Sequence, residues 1–89
     1  LEVIRMHYIR DVVYLTEYKL LVTFDNGTTK VVDLERYLEG EIFEPLRDIE
    51  YFRTVSVNPD IDTITWDNGA DFAPEFLWDI GVSQVESAA

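Results

Sequence analysis

Residues 18–32 read Tyr18-Lys19-Leu20-Leu21-Val22-Thr23-Phe24-Asp25-Asn26-Gly27-Thr28-Thr29-Lys30-Val31-Val32. Two β-rich runs flank Asn-Gly, the strongest short-range hairpin signal, because a type I′ turn needs positive φ at both central positions. Side chains alternate along a strand, so Leu20, Val22 and Phe24 share one face and Lys19, Leu21 and Thr23 the other. A two-residue loop sets Phe24 opposite Thr29 and Val22 opposite Val31.

Upstream, Val12-Val13-Tyr14-Leu15 reads as a further strand, turned into Tyr18 through Thr16-Glu17. Three sequential antiparallel strands make a meander. The β-prone stretch from Val3 to Ile9 is a candidate extension of the first strand. One face of such a sheet needs a cover.

Downstream, Asp33 is placed to N-cap a helix over Leu34–Leu38, and Gly40 suits the residue past its end. Leu34, Tyr37 and Leu38 fall on one face of it. Pro45 stops a helix from running through Ile42–Arg47 but can open a short one, and Asp48 caps another turn through Phe52. Then Arg53–Val57 and Asp62–Trp66 alternate as strands around the turn Asn58-Pro59-Asp60. A second Asn-Gly, at Asn68-Gly69, precedes a sequence that is not β-like and is expected to end its strand in a loop. Pro74 opens a helix closed by Gly81, with Ala73, Phe76, Leu77 and Ile80 on its apolar face. The expected class is α+β: an antiparallel β-meander plus a second strand pair, covered by short helices. One domain spans residues 1–81, and residues 82–89 form a flexible tail.

The chain has 89 residues and a formal net charge of -11, from 18 acids against 7 bases. That length suits one domain. Hydrophobic residues at 47% make it too apolar for a disordered chain despite its charge. Nucleic acid binding neutralises phosphates with Lys and Arg, which are scarce here, so direct nucleic acid binding is not expected. Anionic membrane surfaces are disfavoured for the same reason. A basic protein would be attracted, although acidity alone also serves solubility. With Cys 0, disulfides and thiolate chemistry are excluded, which fits a cytoplasmic protein. No apolar run approaches the ~20 residues that span a bilayer. The first methionine, Met6, is a candidate natural start, with residues 1–5 an upstream extension.

The order of motifs resembles the bacterial family of small domains called domain of unknown function 2442. The resemblance runs from about Ile9 to Ile80. It is carried by Val22-Thr23-Phe24-Asp25-Asn26-Gly27, Val31-Val32-Asp33-Leu34, Ile42-Phe43-Glu44-Pro45-Leu46-Arg47-Asp48 and, most specifically, Trp66-Asp67-Asn68-Gly69-Ala70-Asp71-Phe72-Ala73-Pro74-Glu75-Phe76-Leu77. The resemblance implies a small α+β fold like one found at the N-terminus of a larger protein carrying a helix-turn-helix. It also implies a gene neighbour encoding a second small protein, in an arrangement similar to toxin–antitoxin pairs, with this chain as the antitoxin-like member. No helix-turn-helix follows Gly81 in this sequence, so DNA contact through that element is not expected. The family supplies no catalytic residues to carry over.

Chemistry-bearing patterns are sparse. Asp60, Asp62, Asp67, Asp71 and Glu75 invite a metal reading, but Asp60-x-Asp62 lacks the rest of a calcium loop. They read better as solvated loop acids and caps; Asp71, ahead of Pro74, is placed to meet helix N–H groups. Gly27 and Gly69 serve positive φ, since neither sits in a phosphate-cradling glycine-rich loop. The single histidine, His7, lacks a nucleophile beside it, and Ser56, Ser83 and Ser87 do not make a triad with it. No enzyme and no cofactor are expected.

Four large aromatics, Trp66, Phe72, Phe76 and Trp78, lie close together in sequence, and such rings concentrate at binding hot spots. Trp66 and Phe76 are expected in the core. Trp78 falls off the helix's apolar face and is the candidate anchor of an interface, with Tyr37 and Tyr51 at its rim. The candidate partner-binding set is Trp78, Phe72, Tyr51, Tyr37, Asp71 and Glu75. The leading expectation is an interaction module for another protein of basic character. The alternative is a ligand-sensing regulatory domain with its pocket near the Trp66–Glu75 loop. A carboxylate enzyme ranks third, and homodimerisation through an edge strand or the Trp78 face stays open.

Overall fold

The computed structural model describes residues 7–83; the expected Val3–Ile4 strand extension and residues 84–89 of the tail lie outside them. Strands β1 (Ile9–Thr16), β2 (Lys19–Phe24) and β3 (Thr29–Asp33) form the antiparallel meander. A short helix α1 (Ile49–Phe52), a strand pair β4 (Ser56–Asn58) and β5 (Thr63–Thr65), a helix α2 (Pro74–Ile80) and a last strand β6 (Val82–Ser83) follow. The larger sheet has the order β1-β2-β3-β6, and β4-β5 is a separate two-stranded sheet. The α+β architecture is the expected one.

The inner face of the large sheet carries the core. Ile9, Leu20, Val22, Phe24 and Val32 are buried there, and Leu34, Leu38, Leu46, Phe52, Ile64, Trp66 and Leu77 close over them. Phe52 from α1 meets Tyr18 edge-on, with ring centres 5.3 Å apart, and tilts onto Trp66 at 5.6 Å. The Trp66 indole N–H donates to the Phe52 carbonyl at 2.9 Å, which removes the cost of burying that donor.

The first Asn-Gly does close a hairpin, but with a three-residue loop. The Gly27 N–H donates to the Phe24 carbonyl at 2.9 Å and the Phe24 N–H to the Thr28 carbonyl at 2.8 Å. Gly27 alone takes positive φ there, at 89°. This is a type I turn followed by a left-handed glycine, the other hairpin closure that Asn-Gly permits. It shifts the pairing by one: Val22 faces Lys30, not Val31. A one-residue shift exchanges the faces of a strand. Lys30 and Val32 therefore point inward, and Val31 points out.

The second Asn-Gly is a copy of the first, not an open loop. Gly69 N–H donates to the Trp66 carbonyl at 2.9 Å, Trp66 N–H to the Ala70 carbonyl at 3.0 Å, and Gly69 φ is 90°. In both loops the Asn carboxamide oxygen accepts the N–H two residues on, at 3.0 Å from Thr28 and 3.0 Å from Ala70. A bridge between Thr65 and Asp71 completes the second hairpin. One bridge suffices because Phe72 then turns into the core, 7% exposed, and ends the pairing.

Other expectations shift locally. β3 runs through Asp33, and only Glu35–Tyr37 coil, as a 3-10 turn. Leu34, not Asp33, is the N-cap of that turn, but the Asp33 carboxylate, one residue earlier, accepts the Glu35 N–H at 3.1 Å. Asp48 caps α1 through the Glu50 N–H at 3.0 Å, and Pro45 sits in the first turn of the 3-10 segment Glu44–Arg47. Arg53 and Thr54 belong to the turn after α1, so β4 is shorter than its alternating sequence suggests. Val82 and Ser83, expected to fray, pair as β6 with Val31 and Lys30. Gly81 makes that approach possible: a Cβ there would lie 2.8 Å from the Leu77 carbonyl oxygen and 2.8 Å from Lys30 Cβ.

Candidate functional site

α2 buries most of the expected stripe, Phe76, Leu77 and Ile80 packing against the core, and departs from it at Ala73. Leu77 is fully buried, Phe76 and Ile80 are half-buried and Ala73 is exposed. Phe76 packs edge-on to Tyr37 at 4.8 Å on one flank of the helix. On the other flank Trp78 turns back to the sheet and meets Phe24 edge-on at 4.9 Å.

Trp78 is covered by the chain itself. The His7 imidazole stacks on it, 3.8 Å between centroids and 18° from parallel. The Lys30 ammonium lies 3.9 Å from the same centroid. Two groups at that height cannot share one face, so imidazole and ammonium hold opposite faces. Lys30 also donates to the Trp78 carbonyl at 2.7 Å. Inward-facing Lys30 is 9% exposed, and the indole and the carbonyl are what make that burial tolerable. Trp78 is thereby occupied within the fold, where sequence reasoning made it a free anchor.

Phe72 stacks between Phe43 at 4.9 Å and Phe76 at 5.7 Å, within the core. Tyr51 accepts the Asn68 N–H on its hydroxyl at 2.9 Å, tying α1 to the second Asn-Gly loop. Tyr37 stands half-buried against Phe76. Asp71 is exposed beside its strand bridge. Glu75 takes the His7 backbone N–H at 2.6 Å and His7 Nδ1 at 2.8 Å. The His7 imidazole, and then its N–H, hold the Glu75 carboxyl below its ordinary range. Among the six, Trp78 and Glu75 share His7, and Phe72 and Tyr37 share Phe76.

The acids expected to act as caps and solvated loop groups are spread apart. Asp62 meets Arg10 at 3.1 Å, and Asp60 gives its N–H to the Asn58 carboxamide at 2.8 Å. Among the described residues no group of three or more His, Asp or Glu is gathered to hold a metal ion. No described helix is long and apolar enough to cross a membrane.

What the fold does gather is an aliphatic row on the outer face of the large sheet. Val13 pairs with Leu21, Leu21 with Val31, and Val31 with Val82, so one residue from each strand stands in line. Val13 is 47% exposed, Val82 67%, and the neighbouring Leu15 43%. Solvated faces of antiparallel sheets ordinarily alternate to polar residues. Here the polar residues are confined to the borders. Asp11, Thr23 and Thr29 form the next row on one side, and Lys19 and Asp33 lie on the other. Lys19 is held by Glu17 at 3.5 Å and Asp33 at 3.7 Å, while Asp11 makes no ion pair among the described residues. The border is acidic at Asp11, while Lys19, Arg36 and Arg47 stand with Asp33 and Glu35 beside Val31 and Val82.

Sequence reasoning missed this row, yet a signal was present. Val12-Val13-Tyr14-Leu15 and Leu20-Leu21-Val22 are apolar at consecutive positions, and consecutive apolar residues in a strand must populate both faces.

A family model described as "Protein of unknown function (DUF2442)" matches residues 9–83 of the chain. That span begins at the first residue of β1 and ends at the last of β6. No curated protein and no solved structure matches the chain.

Proposed function

Since the chain belongs to the DUF2442 family of proteins of unknown function, its role must be read from its own surface, and we propose that it is a protein-interaction module that docks a small basic partner on the outer sheet face. The observation that carries this reading is the aliphatic row Val13–Leu21–Val31–Val82, left open with Leu15 beside it. Apolar patches bordered by polar residues are a mark of protein–protein contact. The net charge of -11 selects the partner's sign. Two copies of so acidic a chain repel, whereas a cationic protein is drawn in from a distance.

An antitoxin-like role would use the same geometry: an acidic body steers a basic protein, and the apolar row holds it. Such a complex needs no catalytic group on this chain. The first test is co-expression with the product of the adjacent gene. The expected result is co-purification at low salt that weakens as ionic strength rises, because the steering charges are exposed and screened. Separate elution of the two proteins at low salt would refute the pairing.

A further inference from the structure

We propose that a cleft beside β3 binds an amphipathic organic anion, with its apolar body against Tyr37, Ile80 and Val82 and its acid group at Arg36 and Arg47. This is a small-molecule site that needs no docked protein, although it shares Val31 and Val82 with one end of the aliphatic row on the sheet face. The cleft is open, encloses about 740 Å³, and lies where the end of β3 and β6 meet the 3-10 segments Glu35–Tyr37 and Glu44–Arg47. That volume is in the roughly 300–1,000 Å³ range of small-ligand sites.

Its charge runs against the rest of the molecule. The described cations are Arg10, Lys19, Lys30, Arg36, Arg47 and Arg53, and Lys19, Arg36 and Arg47 all line this cleft. The lining sets these three cations against two acids, Asp33 and Glu35, in a chain whose net charge is -11. Two of the three have nearby acids. Lys19 is shared by Glu17 and Asp33, and Arg47 sits at 3.6 Å from Glu44, the long separation of an exposed pair. Arg36 makes no ion pair among the described residues and is exposed at the cleft's edge. Glu35 and Asp33 also reach the lining, but Asp33 is engaged by the Glu35 N–H and by Lys19.

A guanidinium presents a planar fork of donors that matches a carboxylate, sulfonate or phosphate. The apolar wall explains why the ligand should be amphipathic and not a bare anion. Tyr37 is half-buried and braced by Phe76, and Val82 is the most exposed of the large apolar side chains. An inorganic ion would leave that wall in water.

The experiment is a titration of the chain with anilinonaphthalene sulfonate, followed by fluorescence and by the nitrogen–proton correlation NMR spectrum. The expected result is saturable binding at one site, with shifts centred on Arg36, Tyr37 and Val82. The Arg36→Ala/Arg47→Ala double variant should bind roughly tenfold or more weakly, since each charge-assisted hydrogen bond carries about that factor. Both side chains are exposed, so the variant should keep the wild-type spectrum elsewhere. The uncharged parent, N-phenylnaphthylamine, should bind more weakly to the wild type and equally to both proteins. Absence of saturation, shifts centred on Val13 and Leu15, or unchanged affinity in the double variant would each overturn the proposal.

Discussion

Lys30 and Trp78 are bound to each other twice: the ammonium sits 3.9 Å from the indole centroid and 2.7 Å from the carbonyl oxygen of the same residue. One contact closes the side chain of α2 onto the sheet, and the other satisfies a carbonyl near the helix's C-terminal end. The pair exists because a three-residue hairpin loop turns Lys30 inward. Burial of a cation is tolerated when aromatic and carbonyl groups replace its water.

A double-mutant cycle measures this directly. Lys30→Met and Trp78→Leu should each destabilise the fold, and their effects should be non-additive by about 1–2 kcal/mol, the size of a desolvated cation–π contact. Urea unfolding of the four proteins gives the coupling. Additive effects would mean the contact contributes nothing.

Acid should loosen the contact between α2 and His7. Hydrogen bonds from His7 lower the Glu75 carboxyl in the folded chain. A depressed folded value means the group's contribution is present above its unfolded range and is lost as pH falls through the folded one. The melting-temperature gap between the wild type and Glu75→Gln should therefore be open at pH values above the ordinary Glu range. It should close as the pH is lowered through and below it. A gap that is constant with pH would exclude the linkage.

Three glycines should respond to substitution in two ways. Gly27→Ala and Gly69→Ala place a Cβ in open space but at φ of 89° and 90°, so each should cost about 1–2 kcal/mol. Asparagine at either position should recover part of that loss. Gly81 has ordinary φ, but its added Cβ would meet the Leu77 carbonyl and the Lys30 stem at 2.8 Å. There alanine and asparagine should both be harmful, by about 1–3 kcal/mol, through overpacking. Thermal unfolding of the variants separates the two patterns.

The twin Asn-Gly loops differ in what they hold. Asn26 serves its own turn, whereas Asn68 also donates its carboxamide N–H to the Ile42 carbonyl at 2.9 Å and its backbone N–H to Tyr51. Asn68→Ala should destabilise by about 1 kcal/mol more than Asn26→Ala, the net worth of one additional hydrogen bond. Tyr51→Phe, which removes the acceptor and keeps the ring, should cost a similar amount in chemical denaturation.

Local chemistry made the meander, the strand pair, the cap at Asp48 and the helix start at Pro74 readable from the residues alone. Loop length was harder, because Asn-Gly serves both a two-residue loop and a three-residue one. That single residue decides whether Lys30 or Val31 faces the core. The cover on Trp78 was unreadable for another reason: His7 and Lys30 reach it from parts of the chain remote in sequence, and no helical periodicity encodes them. The outer row could have been read from Val12-Val13 and Leu20-Leu21. Its alignment across four strands needed the true register, and its last member needed β6.

The central claim, that the outer sheet face docks a basic protein, is tested most directly by the affinity of the purified adjacent-gene product for wild type and for the Val13→Lys/Val82→Lys variant. Both substituted side chains are exposed, so the variant should melt near the wild type. The account predicts tight wild-type binding at low salt and a loss of roughly 100-fold or more in the variant, since two cations then interrupt the row and repel the partner. Equal affinities for the two proteins would contradict it.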